Sequence, residues 1–392
     1  MRLLFLTPRA LGEARSGGTI KSAALLEHLE RQHDVDVACF VRPGEGWRRD
    51  GGRIVNVPLH RPRSVGRLVA SYARRRPLSV ERNHSDEMSM TVRSLVDTHG
   101  YDVVFVDGWL MAQYLPRGYG GSKLLHQHNA EHLMWERHAE LEASPIRRLL
   151  VRSEAARVRR YETSIVPRFD VVFAVSEDDR AALLVIADVG DVRILPNVAD
   201  PGLLERPALQ PPREPVVLFF GTLSWAPNLE GMKRFLHDGL PSLQREVPGI
   251  RLIVAGAGAP RSLTSLVARM PGVELVRDTP DDESLYGRAR AFVDVGLGGS
   301  GTRVKILNAL ARGLPVVATA DAARGLDVTA GGDLLVAIDS NDVVRGLTRV
   351  LTDDATWLAL SERGRDLVRR RYVPDVAFRS LDDALAAMRE RA

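Results

Sequence analysis

Residues 296–319 read GLGGSGTRVKILNALARGLPVVAT and combine a glycine-rich loop, a short amphipathic helix and a buried strand. The loop Gly296–Thr302 carries almost no side chains, so its backbone N–H groups can close around an anion. The pattern predicts a helix from about Thr302, with its unpaired N–H groups and positive dipole end directed at the loop. The tripeptide GLP at 313–315 ends this helix, and Val316–Thr319 is predicted to be a parallel strand.

Two cations follow the loop in the first turn of the predicted helix. Arg303 and Lys305 lie where the helix dipole makes positive charge locally unfavourable. Cations held against a dipole indicate that a strongly negative group binds beside them. The loop, the helix and the two cations together predict a diphosphate site in an α/β domain.

The length and composition are those of a globular protein with two domains. The chain has 392 residues, of which 45% are hydrophobic and 27% charged. A formal net charge of +4, without any nucleic-acid-binding signature, argues against a nucleic-acid partner. Cys39 is the single cysteine, which excludes an internal disulfide framework and favours a reducing cytoplasm. No signal peptide and no run of about 18 apolar residues is apparent, so we expect a cytoplasmic protein.

Short apolar runs alternate with helical patterns along the whole chain, as in parallel βαβ units. In the first half we predict strands at RLLFLT, VDVACF, IVNVPL, DVVFVD, KLLHQH and DVVFAV, with helices such as Lys21–Gln32 and Met88–Thr98 between them. In the second half we predict strands at PVVLFFG, IRLIVAGAG, VELVR, AFVDVGL and LPVVAT. The predicted fold is α/β, with two Rossmann-like, doubly wound parallel sheets facing a central cleft.

The segment ALQPPREP (208–215) is the clearest composition break and marks the predicted domain boundary. We assign residues 1–207 to an N-terminal acceptor domain and residues 208–372 to a C-terminal donor domain. Residues 373–392 have the spacing of an amphipathic helix and precede no further strand. We therefore expect this last helix to cross back onto the N-terminal domain.

Several of these segments together resemble one enzyme family. The string GTRVKILNALARGLPVVAT (301–319) is similar to the donor-site signature of family-four glycosyltransferases, which are retaining sugar-nucleotide enzymes with the two-Rossmann-domain fold called GT-B. Further matching stretches follow the family's order: Gly17-Gly18, QHNAE (127–131), RRYE (159–162), AVSED (174–178), LPNV (195–198) and GTLSWAPN (221–228). Together they resemble a bacterial subgroup that makes surface polysaccharides and secondary metabolites.

The resemblance implies roles for individual residues. We assign catalysis to His128, Arg303 and Lys305. The two cations follow from the loop–helix pattern, and the resemblance implies that His128, at the predicted end of the strand KLLHQH, contacts the donor sugar. Glu131 is left with three roles: it orients His128, caps the following helix or accepts the acceptor's proton. The donor-binding set comprises glycines and polar residues of the loops: Gly17, Gly18, Gly221, Thr222, Asp278, Gly299, Ser300, Gly301, Thr302 and Asn308.

Two features depart from the family pattern. Family members often carry two glutamates eight positions apart, where this chain has Ser300 and Asn308. Asn308 retains hydrogen bonding to ribose hydroxyls but lacks the charge that strengthens such bonds. The arginine and lysine that the family often places after the first strand of the donor domain are absent from GTLSWAPN. Arg303 and Lys305 are expected to replace them.

Two basic stretches of the first half, residues 61–76 and 146–162, have helical spacing with interleaved apolar residues. Such helices dock onto anionic lipid surfaces or lipid-diphosphate acceptors. A solvated helix face is the commoner meaning of such charge. The sequence allows both interpretations, of which the first includes peripheral contact with the inner face of a membrane.

The sequence predicts an enzyme that moves a sugar from a nucleotide-diphosphate donor to a hydroxyl group. The acceptor would be a glycan, a lipid-linked glycan or a small natural product, and transfer would proceed with retention and without a metal or other cofactor. The alternative is a catalytically silent homologue that binds a sugar nucleotide or supports a partner enzyme, which Ser300 and Asn308 favour. A sugar-nucleotide epimerase would need an acid–base pair that the sequence does not display. A nicotinamide dehydrogenase is disfavoured because no GxGxxG follows the first strand.

Overall fold

A computed structural model describes residues 1–12, 17–49, 51–59, 65–142, 144–279, 283–298 and 302–390. The chain divides into two compact units. The first comprises Met1–Pro196 together with Ala377–Ala392, and the second comprises Asn197–Val376.

The first unit is built on a parallel sheet. Its strands are β1 (Arg2–Thr7), β2 (Asp34–Val41), β3 (Ile54–Pro58), β4 (Val103–Asp107), β5 (Ser122–His126), β6 (Val171–Ala174) and β7 (Val192–Ile194). Over the described residues they form one sheet in the order β3-β2-β1-β4-β5-β6-β7, with parallel pairing throughout. The strand order reverses between β1 and β4, and this is where ligands bind in doubly wound sheets.

Helices connect these strands: α1 (Gly17–Glu30), α2 (Val65–Ala73), α3 (Leu78–Arg82), α4 (Asp86–His99), α5 (Glu131–Leu141), α6 (Pro145–Ile165) and α7 (Glu177–Ile186). Short 3₁₀ turns lie at Met111–Tyr114 and Val166–Arg168. Gly17 and Gly18 form the first turn of α1, rather than the preceding loop in which the sequence placed them.

The second unit repeats the architecture with strands β8 (Val216–Phe220), β9 (Arg251–Gly256), β10 (Val273–Arg277), β11 (Ala291–Asp294), β12 (Val316–Thr319) and β13 (Leu335–Ala337). Over the described residues their order is β10-β9-β8-β11-β12-β13, again with parallel pairing. The helices are α8 (Pro201–Glu205), α9 (Ala226–Arg234), α10 (Leu240–Glu246), α11 (Arg261–Val267), α12 (Glu283–Arg288), α13 (Val304–Arg312), α14 (Ala320–Ala323), α15 (Ser340–Thr352), α16 (Asp354–Arg371) and α17 (Pro374–Ala377). A π-helical turn, Phe235–Gly239, joins α9 to α10.

Burial on both faces explains why the strands appear as nearly continuous apolar runs. In β1, Leu3, Leu4, Phe5 and Leu6 are all fully buried, although successive side chains point to opposite faces of the sheet. Helices therefore cover both sides of each sheet. This arrangement confirms the predicted fold class of two Rossmann-like α/β domains.

The two units divide after Pro196, upstream of the composition break at 208–215. The intervening residues belong to the second unit because their backbone and side chains bond to it. Ala199 N–H donates to the carbonyl of Tyr372, and Leu203 packs in the core of that unit.

The C-terminal segment forms α17 and then α18 (Arg379–Arg389), so the single helix predicted over 373–392 is interrupted at Phe378. Helix α18 belongs to the first unit. His28 of α1 holds it there through a 2.7 Å contact between Nε2 and the Asp382 carboxylate. Within the described ranges, no helix is long and apolar enough to cross a membrane.

Candidate functional site

In the second unit, Lys305 lies at the centre of a polar cluster at the carboxyl ends of β8 and β11. Its Nζ is 2.9 Å from Asp294 Oδ1 and 2.9 Å from Asn228 Oδ1. Asp294 is fully buried, whereas the Lys305 side chain is 12% exposed. Burial lowers the pKa of Lys305 to about 8, while the Asp294 carboxylate acts in the opposite direction.

The end of β8 leaves room for this lysine. A Cβ atom on Gly221 would lie 3.4 Å from Lys305 Cδ and 3.5 Å from its Nζ. The ammonium group also lies 4.3 Å from the centre of the Phe219 ring. Helix α13 thus delivers a cation to the loop after the first strand of this unit. That is where the family pattern places basic residues that GTLSWAPN lacks.

Helix α13 begins at Val304, two residues later than predicted, with Arg303 as its N-cap. Arg303 donates from Nη2 to the carbonyl of Gly298 at 2.5 Å. Gly313 ends the helix in a left-handed conformation (φ +83°), as the GLP tripeptide predicted. Arg303 and Lys305 therefore both belong to the loop–helix junction, but only Lys305 lies within the helix.

The other predicted donor residues lie in varied surroundings. Asn308 is buried, and its Oδ1 accepts a hydrogen bond from Asp200 N–H at 2.9 Å, so this oxygen fixes the chain near α8. Thr302 is also buried, whereas Thr222 is exposed and its carbonyl accepts from Asn228 Nδ2 at 2.9 Å. Asp278 has φ +50° and accepts from Gly258 N–H at 3.2 Å. Gly299, Ser300 and Gly301 lie outside the described residues.

In the first unit, a buried carboxylate joins two histidines at the switch point of the sheet. Asp107, the last residue of β4, is fully buried. Its Oδ1 lies 2.8 Å from His126 Nδ1 and 3.0 Å from His128 Nε2, and Thr7 donates to its Oδ2 at 3.2 Å. Burial alone would raise the pKa of Asp107, but His128 and His126 reverse this effect and bring that pKa well below its usual range. The carboxylate is therefore ionised.

His128 does not end the strand, because β5 stops at His126. His126 is fully buried, while the His128 side chain is 26% exposed in the following loop. Two glycines give the His128 ring space: a Cβ on Gly108 would lie 3.4 Å from its Cδ2, and one on Gly18 would lie 4.0 Å from its Nδ1. Gly108 also has φ +93°, a conformation that favours glycine. The predicted residues Gly18 and His128 are thus neighbours.

Two buried carboxylates hold the loop that carries His128. Glu162 of the RRYE segment accepts from the backbone N–H groups of Glu131 and His132, each at 3.0 Å, and so caps α5. Asp179 accepts from Ala130 N–H at 2.8 Å. Of the roles left open for Glu131, helix capping therefore falls to Glu162.

Glu131 itself is buried, and its carboxyl is protonated at neutral pH. Burial, and secondly the Glu162 carboxylate, raises the pKa of Glu131 to about 8 from its ordinary value of 4.5. A carboxyl group whose pKa is higher in the folded than in the unfolded state stabilises the fold fully at pH values below the unfolded pKa. This stabilisation is lost as pH rises from about 4.5 to about 8.

We expect Glu131→Gln to remove this pH dependence, because glutamine has the shape of the protonated acid and does not ionise. As pH rises through this window, the free energy of unfolding of the variant should increase relative to that of the wild type by up to about 1.4 kcal/mol per pH unit. Urea unfolding at several pH values measures the difference. The exposed Glu140→Gln on the same helix is the control, and parallel profiles for the two variants would contradict the assignment.

The sequence analysis did not identify three buried charged residues at the candidate sites: Asp107, Asp294 and Lys21. Asp107 and Asp294 each interrupt an apolar strand at its carboxyl end, a signal present in DVVFVD and AFVDVGL. Lys21 is fully buried in α1 and donates from Nζ to the Leu195 carbonyl. Burial lowers the pKa of Lys21 to about 7. A single lysine among the apolar residues of TIKSAALL was its signal.

Asp107, His126 and His128 also present ligand atoms within 4.8 Å of one another, a group able to hold a metal ion. Their separations of 2.8 and 3.0 Å are those of hydrogen bonds, which satisfy the carboxylate without an ion. The expectation that no metal is needed stays a prediction, and assays with and without EDTA test it.

Comparisons with known proteins agree with these features. Residues 214–353 match the family Glycosyl transferases group 1, so the second unit carries a domain of that family. An uncharacterized 44.6 kDa protein in the cps region of Klebsiella pneumoniae is 29% identical over 130 residues. That match spans about a third of each chain, 31% of this one and 34% of the relative.

Solved structures share the whole architecture at low sequence identity. Sucrose-phosphate synthase from Thermosynechococcus elongatus superposes with a TM-score of 0.73 at 18% identity, with 100% of both chains covered. Anabaena HepE in complex with UDP-glucose gives 0.67 at 14% identity, covering 99% of this chain and 100% of its own. An α,α-trehalose-phosphate synthase (UDP-forming) from Burkholderia vietnamiensis gives 0.67 at 14%, covering 100% of both. The fold is therefore GT-B.

Proposed function

We propose that this protein is a glycosyltransferase that moves a sugar from a nucleotide-diphosphate donor to a hydroxyl acceptor, with retention and without a metal. The observation that carries the proposal is the buried Lys305 ammonium, held by Asp294 and Asn228 at the end of β8 within a group 1 glycosyl transferase domain. A preorganised cation in a poorly solvated site stabilises the charge that develops on a departing diphosphate.

The proposed chemistry requires no nucleophile from the protein. The bond between the anomeric carbon and the diphosphate oxygen breaks, and the acceptor hydroxyl bonds to that carbon on the same face. The hydroxyl proton passes to the departing phosphate oxygen. Lys305 and Arg303 hold the diphosphate, as a point charge and a bidentate donor respectively. His128, oriented by Asp107, hydrogen-bonds a sugar hydroxyl.

The donor class is tested by a thermal-shift screen against UDP, GDP, dTDP, ADP and NAD, with each hit confirmed by calorimetry. UDP is the first candidate because two of the structural relatives are described with UDP-glucose or as UDP-forming. A ligand at about 100 times its dissociation constant stabilises the fold by roughly 2.7 kcal/mol. Stabilisation by one nucleoside diphosphate supports the proposal, and incubation of its sugar conjugates with glycan, lipid-linked and small-molecule acceptors follows.

Arg303→Ala should weaken binding of the selected nucleoside diphosphate about tenfold or more, because it removes a charge-assisted contact to phosphate. Calorimetry measures the effect. Arg365 on α16 is unsuitable as a control, since it is buried and donates to the carbonyls of Ala311, Leu204 and Arg206. The exposed Arg363→Ala on α16 is the matched control, and equal effects of both variants would refute the diphosphate site.

A catalytically silent homologue is the second candidate. Asn308 favours it, because the oxygen expected to contact the ribose instead accepts from Asp200 N–H. Nucleotide binding without turnover of any sugar conjugate, in a protein that also lacks slow donor hydrolysis, would support this alternative over the transferase.

A further inference from the structure

Helix α2 turns its apolar residues toward solvent. They recur at positions i, i+3, i+4 and i+7 and are 41–76% exposed: Val65, Leu68, Val69 and Tyr72. The opposite face attaches the helix to the protein through polar groups. Arg67 donates to the carbonyls of Glu81 at 2.5 Å and His84 at 3.2 Å, and Ser71 donates to that of Arg76 at 2.8 Å. An apolar stripe of this kind ordinarily faces a core, so its exposure is unusual.

The first turns of α6 have the same arrangement. Ile146, Leu149 and Leu150 are 76%, 69% and 55% exposed. Ala155 and Val158, on the other side of the helix, are buried in the first unit. These three large apolar residues therefore also lack a partner within the described part of the chain.

The two stripes lie on the same side of the first unit. Arg157 is eleven residues after Ile146 and so returns to the same face of α6 after about three turns. Its guanidinium lies 3.9 Å from the centre of the Tyr72 ring, and its Nη1 donates to Ser71 Oγ at 3.2 Å. A residue in line with the α6 stripe thus packs on a member of the α2 stripe. We call the two stripes together the apolar ridge: Val65, Leu68, Val69, Tyr72, Ile146, Leu149 and Leu150.

The apolar ridge lies among positive charges. The segments VGRLVASYARRR (65–76) and PIRRLLVRS (145–153) contain seven arginines and no acidic residue, although basic and acidic residues nearly balance in the whole chain, 54 to 50. Arg75, Arg76, Arg147 and Arg152 are exposed. Arg74 is paired with Glu81, but large apolar side chains flanked by these four exposed arginines complement the boundary between acyl chains and anionic headgroups. A soluble acidic partner would match the charge but not the exposed leucines.

We propose that the apolar ridge is a docking surface for an anionic lipid bilayer. The aliphatic side chains enter the boundary between headgroups and acyl chains, and the surrounding arginines contact lipid phosphates. The exposed stripe of each helix lies parallel to the membrane plane, so neither helix spans the bilayer. This assignment depends on the first unit alone and does not rest on the proposed reaction.

Sedimentation of the full chain with lipid vesicles tests the surface. We expect the wild type to pellet with phosphatidylcholine vesicles that contain about 30% phosphatidylglycerol, and to bind pure phosphatidylcholine at least about tenfold more weakly. The double variant Leu149→Glu/Leu150→Glu should lose binding to the anionic vesicles. The control is Val185→Glu on α7, which puts the same charge on a residue that is 78% exposed and is not part of the apolar ridge. This variant should pellet like the wild type.

A second variant separates charge from apolar insertion. Arg147→Gln/Arg152→Gln should weaken binding about tenfold or more and reduce its dependence on salt. Thermal unfolding checks that each variant is folded. The proposal is overturned if the wild type stays in the supernatant, or if the leucine double variant pellets as well as Val185→Glu. It is also overturned if that double variant converts a dimer to a monomer while the wild type ignores vesicles, since the apolar ridge would then join two copies of the chain.

Discussion

A Lys305→Met variant is expected to lose most of its affinity for a nucleoside diphosphate, about 30- to 100-fold. The lysine supplies a buried cation 2.9 Å from Asn228 Oδ1 at the end of β8, and a hydrogen bond to a charged group contributes roughly 2–3 kcal/mol. Methionine keeps the apolar length of the side chain over Phe219 and removes only the charge. Isothermal calorimetry with UDP, or with whichever nucleotide stabilises the wild type, measures the loss.

The single variant also leaves Asp294 buried without its cation, which costs about 3–5 kcal/mol of folding stability. The double variant Asp294→Asn/Lys305→Met removes both charges and should recover much of that stability. It should not recover nucleotide binding. If the double variant binds as tightly as the wild type, Lys305 serves only to neutralise Asp294 and its assignment to the diphosphate is wrong.

The same residue predicts how binding depends on pH. Burial lowers the pKa of Lys305 to about 8, so the free protein carries this charge below pH 8 and loses it above. Binding a diphosphate requires the charged form, and the affinity of the wild type should therefore fall by about tenfold per pH unit above 8. The Lys305→Met variant, which has no such group, should show a flatter profile over the same range.

The loop–helix–strand unit of residues 296–319 shows what local sequence can predict. Its helix and its buried strand are determined by short-range patterns, and the structure has both within two residues of the predicted positions. The bonds from Lys305 to Asp294 and Asn228 join residues of three elements and leave no periodic signal. The sequence placed Lys305 beside a bound anion but gave no sign of its ion pair with Asp294.

Strand length explains which elements were missed. Runs such as RLLFLT are buried on both faces and long enough to stand out from helices. Strands β7 and β13 contain three residues each at the edges of their sheets, too few to establish a period. The end of β5 was placed two residues late because no glycine or proline follows the apolar pair Leu124-Leu125 to mark where the strand stops.

His126 and His128 form a natural matched pair, since both contact Asp107 Oδ1 but differ in exposure. Burial, with Lys21 and His128, brings the pKa of His126 well below its usual value, so His126 is neutral at pH 7. Its Nδ1–H therefore donates to the carboxylate. His128 donates from Nε2 to the same oxygen, and its Nδ1 faces Gly18 in the first turn of α1. Only the second ring is placed to meet a ligand.

Replacing His128 with alanine should therefore lower sugar transfer about 100-fold while changing the melting temperature little, because a preorganised hydrogen bond that strengthens in the transition state contributes about 10²–10³-fold. The main effect of His126→Ala should instead be on the fold, which it should destabilise by about 2–3 kcal/mol because a buried hydrogen bond to a carboxylate is lost. Release of the nucleoside diphosphate from its sugar conjugate and thermal unfolding provide the two measurements.

Asp107→Asn, which keeps the shape but not the charge, should impair transfer through His128 even where its melting temperature stays close to that of the wild type. If His128→Ala retains full transfer activity, the Asp107–His128 pair serves only the fold, and the catalytic assignment of the first unit is wrong.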